Sequence, residues 1–177
     1  ECDVEGCTLG PGIGDGVLLG PKTGGDVWTA SRDCDVLDNR IERVRRNGIT
    51  ISSCISCDVL RNLTLEVRGA SPECGVDVEP ADPRCEISRV RVDDLPCHFN
   101  GSEEDPKGGT CLNVQVNRLT RASPGELWLE IGDVTATGMR SMQQVVRVQY
   151  IGRPLVQSPG GLGVVIDGRI RSQWSRP

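Results

Sequence analysis

CDVLRNLTLEV, residues 57–67, reads as an ordinary strand until it is set beside CDVEGCTL from Cys2 and CDVLDNRI from Cys34. CEISRVRV, from Cys85, is a fourth and looser copy. Aligned on the first residue, position three is Val4, Val36, Val59 and Ile87; position six is Cys7, Asn39, Asn62 and Val90; position eight is Leu9, Ile41, Thr64 and Val92. Each of the first three copies is followed by a glycine and an alternating strand: GVLLG from Gly16, GITIS from Gly48 and GVDVE from Gly75. The copies start 32, 23 and 28 residues apart, so the strand segments keep their form while the connections vary.

Recurrence on this scale marks a stacked repeat. Each unit holds short period-two strands bounded by turns, with no helical stretch between them. Parallel strands ordinarily need long crossovers. A chain that comes back to the same place avoids them by pairing each strand with its counterpart one round later, ~4.8 Å away. Equivalent residues then stack in columns. Val4, Val36, Val59 and Ile87 are expected to fill one interior row. Val17, Ile49 and Val76 fill a second, with Leu19, Ile51 and Val78 beside it. Asn39 and Asn62 fit an asparagine ladder at a sharp turn. Cys2, Cys34, Cys57 and Cys85 make a cysteine column, read as small buried thiols close enough for bridges.

The CDV…N…I phrases with GITIS and GVDVEP resemble the right-handed parallel β-helix of the pectate-lyase-like superfamily. The resemblance covers residues 2–92 and continues more weakly through CLNVQV (111–116), LWLEI (127–131), VVRVQY (145–150) and GVVIDGRI (163–170). It implies an all-β, right-handed parallel β-helix of about six coils, one domain over residues 1–177, with an insertion loop at 94–109. Residue 1 leads directly into a coil, and an uncapped stack exposes strand edges. The expectation is therefore a piece of a longer chain, or a partner chain at that end.

Composition narrows the function classes. The chain has 177 residues, a net charge of -5 and five aromatic residues, which argues against nucleic acid as the main partner. No apolar run approaches the ~20 residues of a membrane-spanning helix. Motifs for nucleotide hydrolysis, serine-hydrolase and zinc-protease chemistry are missing. Nine cysteines include a single Cys54-x-x-Cys57 with no second pair at zinc spacing. Two glycosylation sequons occur: Asn62-Leu63-Thr64, expected to be hidden in the ladder, and Asn100-Gly101-Ser102, expected in an accessible loop.

The resemblance implies a polysaccharide hydrolase, lyase or depolymerase, or else a non-catalytic adhesin or a segment of a trimeric spike. It implies an extracellular, cell-surface or virion-surface setting, and a monomer or homotrimer. Three candidate sites follow. In the turn before the alternating strands, Asp15 and Glu73 stand two rounds apart, ~10 Å by strand spacing, near the separation of an inverting carboxylate pair. No Asp-Asp stands at the matching coil and no Gly-His-Gly occurs, although Arg169-Ile170-Arg171 is similar to the superfamily's Arg-Ile-Lys. On the outward face, Asp77 and Glu79 alternate with Val76 and Val78. They extend into polar stripes Thr50-Asp77-Asn113 and Ser52-Glu79-Gln115 that suit sugar hydroxyls, or else form an ordinary wet face. In the segment 92–106, the single histidine, His98, lies near Asp93 and Asp94 and could act as a base or help bind a cation. Asp3, Asp35, Asp58 and Glu86 are expected to form an acidic surface row, with calcium as an oxygen-bound cofactor to consider.

Overall fold

The computed structural model describes residues 2–24, 27–80, 82, 84–101, 109–116, 127–137, 145–150, 162–166 and 169–173. It is all-β, with no helix among the described residues and hence none long and apolar enough to cross a membrane. Among the described residues, twenty strands fall into three parallel sheets and one hairpin.

Sheet I contains β1 (Val4–Glu5), β7 (Val36–Leu37), β10 (Cys54–Leu60), β13 (Ile87–Asp93), β16 (Leu127–Ile131) and β19 (Leu162–Ile166), in that spatial order, with β6 (Ser31–Arg32) also on β10. Sheet II runs β2 (Thr8–Leu9), β8 (Arg40–Glu42), β11 (Leu63–Leu65), β14 (Leu95–His98), β17 (Val134–Thr137) and β20 (Ile170–Gln173). Sheet III runs β3 (Val17–Leu19), β9 (Ile49–Ile51), β12 (Val76–Val78), β15 (Leu112–Val116) and β18 (Val146–Tyr150). The chain visits the sheets in the order I, II, III and then begins again. The long connection after the first visit holds an antiparallel hairpin, β4 (Lys22–Gly24) with β5 (Val27–Thr29).

The corners between sheets I and II recur as columns. Asp38, Arg61 and Asp94 occupy one position of successive rounds, and all have positive φ (55°, 55° and 47°). Arg43, Glu66 and Phe99 form a second column, just past sheet II on the way to sheet III, each at 54°. Left-handed backbone is uncommon for residues with a Cβ; here one turn geometry is imposed on whatever side chain stands there.

Inward residues of all three sheets join one hydrophobic cluster, including Val36, Ile41, Ile51, Val59, Val78, Val92, Leu95 and Val114. The expected neighbours are found: Val4 with Val36, Val36 with Val59, Val17 with Ile49, Ile49 with Val76, Leu19 with Ile51, and Ile51 with Val78. The asparagine ladder forms as well. Asn62 Oδ1 accepts the Asn39 backbone N–H at 3.1 Å, and Asn39 Oδ1 accepts that of Cys7 at 2.9 Å.

The fourth copy is displaced from its expected register. Val59 pairs with Val92 and Cys57 with Val90, while Ile87 pairs with Cys54. Ile87 therefore leaves the first interior row, and Cys85 leaves the cysteine column. Arg89 explains the misreading. Its left-handed φ of 54° resets the alternation, so Ile87 and Val90 both point inward although three residues apart. Either alignment therefore puts apolar letters inside. The same shift puts Arg91, not Glu86, beside Asp58 in the acidic row.

Two further expectations are corrected. The insertion expected at 94–109 begins later, because Leu95–His98 is β14, held between β11 and β17 by the inward burial of Leu95 and Cys97. Its portion at 102–108 lies outside the described residues. Asn100 is not an accessible loop residue. It is fully buried, accepting the Val67 N–H at 3.0 Å and donating to Thr64 Oγ1 at 2.9 Å. One bridge, Cys97–Cys111, joins β14 to the turn before β15. It leaves no room for a Cβ at Gly75, where one would lie 2.7 Å from the Cys97 sulfur.

Candidate functional site

Sheet III positions the site. Its strands alternate, so Val76, Val78, Leu112 and Val114 turn inward and the residues between them turn outward. Register sets Thr50, Asp77, Asn113 and Arg147 side by side across four strands. Ser52, Glu79 and Gln115 stand two residues further along. Both expected stripes are present in that order. Their environment differs from the expected wet face: Asp77 and Asn113 are completely shielded, and Thr50 is 3% exposed.

The turn before these strands provides the cover. Asp15 Oδ1 accepts the Asn47 backbone N–H at 3.1 Å, and Asn47 Oδ1 accepts the Cys74 N–H at 3.2 Å. The Asn47 amide is thereby oriented, and its Nδ2 donates to Thr50 Oγ1 at 3.0 Å and to Asp77 Oδ2 at 3.3 Å. The Thr50 hydroxyl in turn donates to Asp15 Oδ2 at 2.9 Å. On the other side, Arg147 Nε donates to Asn113 Oδ1 at 2.8 Å, which directs Asn113 Nδ2 onto Asp77 Oδ1 at 2.8 Å. Gln115 reaches the same oxygen at 3.5 Å. Arg46 closes the cluster, donating to Asp15 at 3.1 Å and to Glu79 at 2.7 Å. Both Asp77 oxygens therefore face amide donors whose orientation is dictated elsewhere.

Two effects compete at Asp77. Burial disfavours its charge, and the neighbouring Glu79 carboxylate adds to that; the Asn113 bond and Arg46 oppose it. Burial wins, and the carboxyl is pushed up to about 6. At Arg46, partial burial pulls the pKa down, but the charges of Asp15 and Glu79 outweigh it and raise it. Solvent meets the cluster at its rim, where the side chains of Arg46 and Glu79 are 37% and 27% exposed.

Of the other expected residues, Asp15 belongs to this network, and Glu73, His98 and Asp93 lie apart from it. Glu73 is buried and accepts the Gly69 N–H at 2.6 Å across its own turn, whereas Asp15 is committed to Arg46, Asn47 and Thr50. His98 is on sheet II, level with Thr137, and its Nδ1 is hydrogen-bonded to Thr137 Oγ1. Asp93 accepts from the Asp133 and Asp94 backbone and from Arg91. Ser52 donates its N–H to Leu19 at 2.8 Å. Among the described residues, no three His, Cys, Asp or Glu side chains converge as a metal-holding group. Sequence reasoning missed Arg46 and Arg147. The alternation of Val146, Arg147 and Val148 carried a signal for the second; nothing along the strand pointed to Arg46 folding over it.

Family models, curated proteins and solved structures were compared with the chain, and none matches it.

Proposed function

We propose that the three sheets wind as a single right-handed parallel β-helix whose sheet III face engages an extended glycan without cleaving it. The rotation I, II, III with parallel pairing between successive visits supports the winding. One observation carries the functional reading: hydrogen-bonding side chains recur across successive strands of one face, at rungs of ~4.8 Å, and are held in place by one another. Arg46, Glu79, Ser52 and Gln115 form the approachable rim, and the cluster beneath keeps them ordered. A glycan is bound through such preset polar groups at little ordering cost. The setting that goes with this role is extracellular or on a cell or virion surface.

A catalytic form of the same reading has one observation in its favour. Asp77, held up to about 6, stands two residues from a second carboxyl, Glu79, as a proton donor in a carboxyl pair would. Against it, both Asp77 oxygens are occupied and the residue is shielded from solvent.

Affinity electrophoresis against neutral and anionic polysaccharides, with and without calcium, tests binding. We expect retardation by at least one glycan and its loss in Arg46→Ala/Glu79→Gln. No retardation across the panel would retire the glycan reading. Reducing-end release or unsaturated-uronate absorbance that disappears in Asp77→Asn would replace the binding form with the catalytic one. Light scattering separates a monomer from a homotrimer.

A further inference from the structure

Cys54 and Cys57 both lie on β10, three residues apart. In a regular strand they would point to opposite faces. Ser56, with φ of 56°, reverses the alternation between them, and both become buried, at 0% and 1% exposure. The two thiols interact, each being the largest single influence on the other's pKa. Cys57 in turn stands beside Cys34, because Val59 pairs with Val36 two residues on; by the same register Cys34 stands beside Cys2. Along the file, the Cys34 thiol donates to the Arg32 carbonyl at 3.1 Å and the Cys57 thiol to the Ile55 carbonyl at 3.5 Å. Four cysteines thus form a file from exposed Cys2, through Cys34 at 8% exposure, to the buried pair. Register neighbours on parallel strands have Cα atoms ~4.8 Å apart, inside the ~4.4–6.8 Å that a disulfide spans. A bridge already exists in this interior at Cys97–Cys111, with Cα atoms 5.7 Å apart.

We propose that Cys54 and Cys57 form a dithiol redox site, oxidised to a disulfide by small-molecule disulfides that react at Cys2 and are relayed through Cys34. Every step is thiol–disulfide exchange. The Cys2 thiolate attacks oxidised glutathione and releases one glutathione thiolate. Cys34 attacks the Cys2 sulfur, forming Cys2–Cys34 and releasing the second. Cys57 attacks Cys34, forming Cys34–Cys57 and freeing Cys2. Cys54 attacks Cys57, forming Cys54–Cys57 and freeing Cys34. Two thiols of the protein lose two electrons, the reagent gains them, and the two protons end on the two glutathione molecules. Cys57 is suited to the third step: its interaction with Cys54 brings its thiol down to about 7, while Cys54 is raised far above the ordinary thiol range. Buried cysteines that were only core filler would have no route to an oxidant too large to enter.

The test is incubation of the mildly reduced full chain with oxidised glutathione, acid quenching, alkylation of free thiols and peptide mapping. The proposal expects Cys54–Cys57 to accumulate, with at least a tenfold slower rate in Cys2→Ser, an exposed position at which folding is preserved. It also expects Cys57→Ser to arrest the relay as Cys2–Cys34. Cys54 and Cys57 remaining free while Cys2 carries glutathione would overturn it. So would an unchanged rate in Cys2→Ser.

Discussion

The outer faces of sheets I and III place acids on the same lattice and handle them in opposite ways. On sheet I, Asp3, Asp35 and Asp58 follow one another on successive strands, each at intermediate or full exposure. Asp3 accepts the Asp35 N–H at 3.3 Å and Asp35 the Asp58 N–H at 3.2 Å. The nearest cation in the row, Arg91, gives its guanidinium to Asp93. Partial burial and then the Asp35 charge raise the Asp58 pKa. On sheet III, amides and a threonine separate the acids, and Arg46 bridges two of them. Stacking therefore multiplies whatever a residue does to its neighbour. Like charges in a column repel, whereas oriented donors in a column build a network. Burial then decides how much either costs.

The largest expected contrast is in pH dependence. Asp77 has a folded pKa of about 6 against 3.8 for the ordinary group. The folded state therefore binds the extra proton, and this stabilisation is complete below about 3.8 and lost as pH rises through about 6. Linkage puts it at roughly 3 kcal/mol. Urea midpoints should show the gap between wild type and Asp77→Asn widening by that order from pH 7.5 to pH 4. A gap independent of pH would mean that Asp77 is not shielded.

At pH 7.5, Asp77→Asn should itself lower stability by about 2 kcal/mol. The new amide must turn an N–H toward Asn47 or Asn113, which also donate, and neither can flip without abandoning Cys74 or Arg147. Arg46→Gln should cost less, about 1 kcal/mol after allowance for its exposure, and should raise the apparent pKa of Asp77 further. Smallest is Asp58→Asn on sheet I, within about 0.5 kcal/mol and on the stabilising side, since it removes a stacked like charge. Equal losses from Asp77→Asn and Asp58→Asn would erase the distinction between the two faces.

Much of this was legible in the residues alone. Identical phrases put Val36 beside Val59, and Asn39 beside Asn62. Alternation around Val76 and Val78 lined up Thr50, Asp77 and Asn113 across three strands. What a strand pattern cannot carry is the cover supplied by a turn, so the burial of Asp77 beneath Asn47 and Arg46 was out of reach. Nor does it reveal a left-handed residue inside a strand. Arg89 hid the shift of the fourth copy, just as Ser56 hid the facing of Cys54 and Cys57. Asn100 looked like a loop sequon because its partners, Val67 and Thr64, come from the preceding round.

The register of β10 against β13 tests the stacked-round account most directly, because the continuation of the sheet I rows and the displaced fourth copy both depend on it. Backbone NOEs between amide and Hα protons report it in solution. The account predicts cross-strand contacts joining the Val59 and Val92 neighbourhoods and none joining Val59 to Ile87. Contacts to Ile87, or antiparallel Hα–Hα contacts anywhere along these strands, would contradict it.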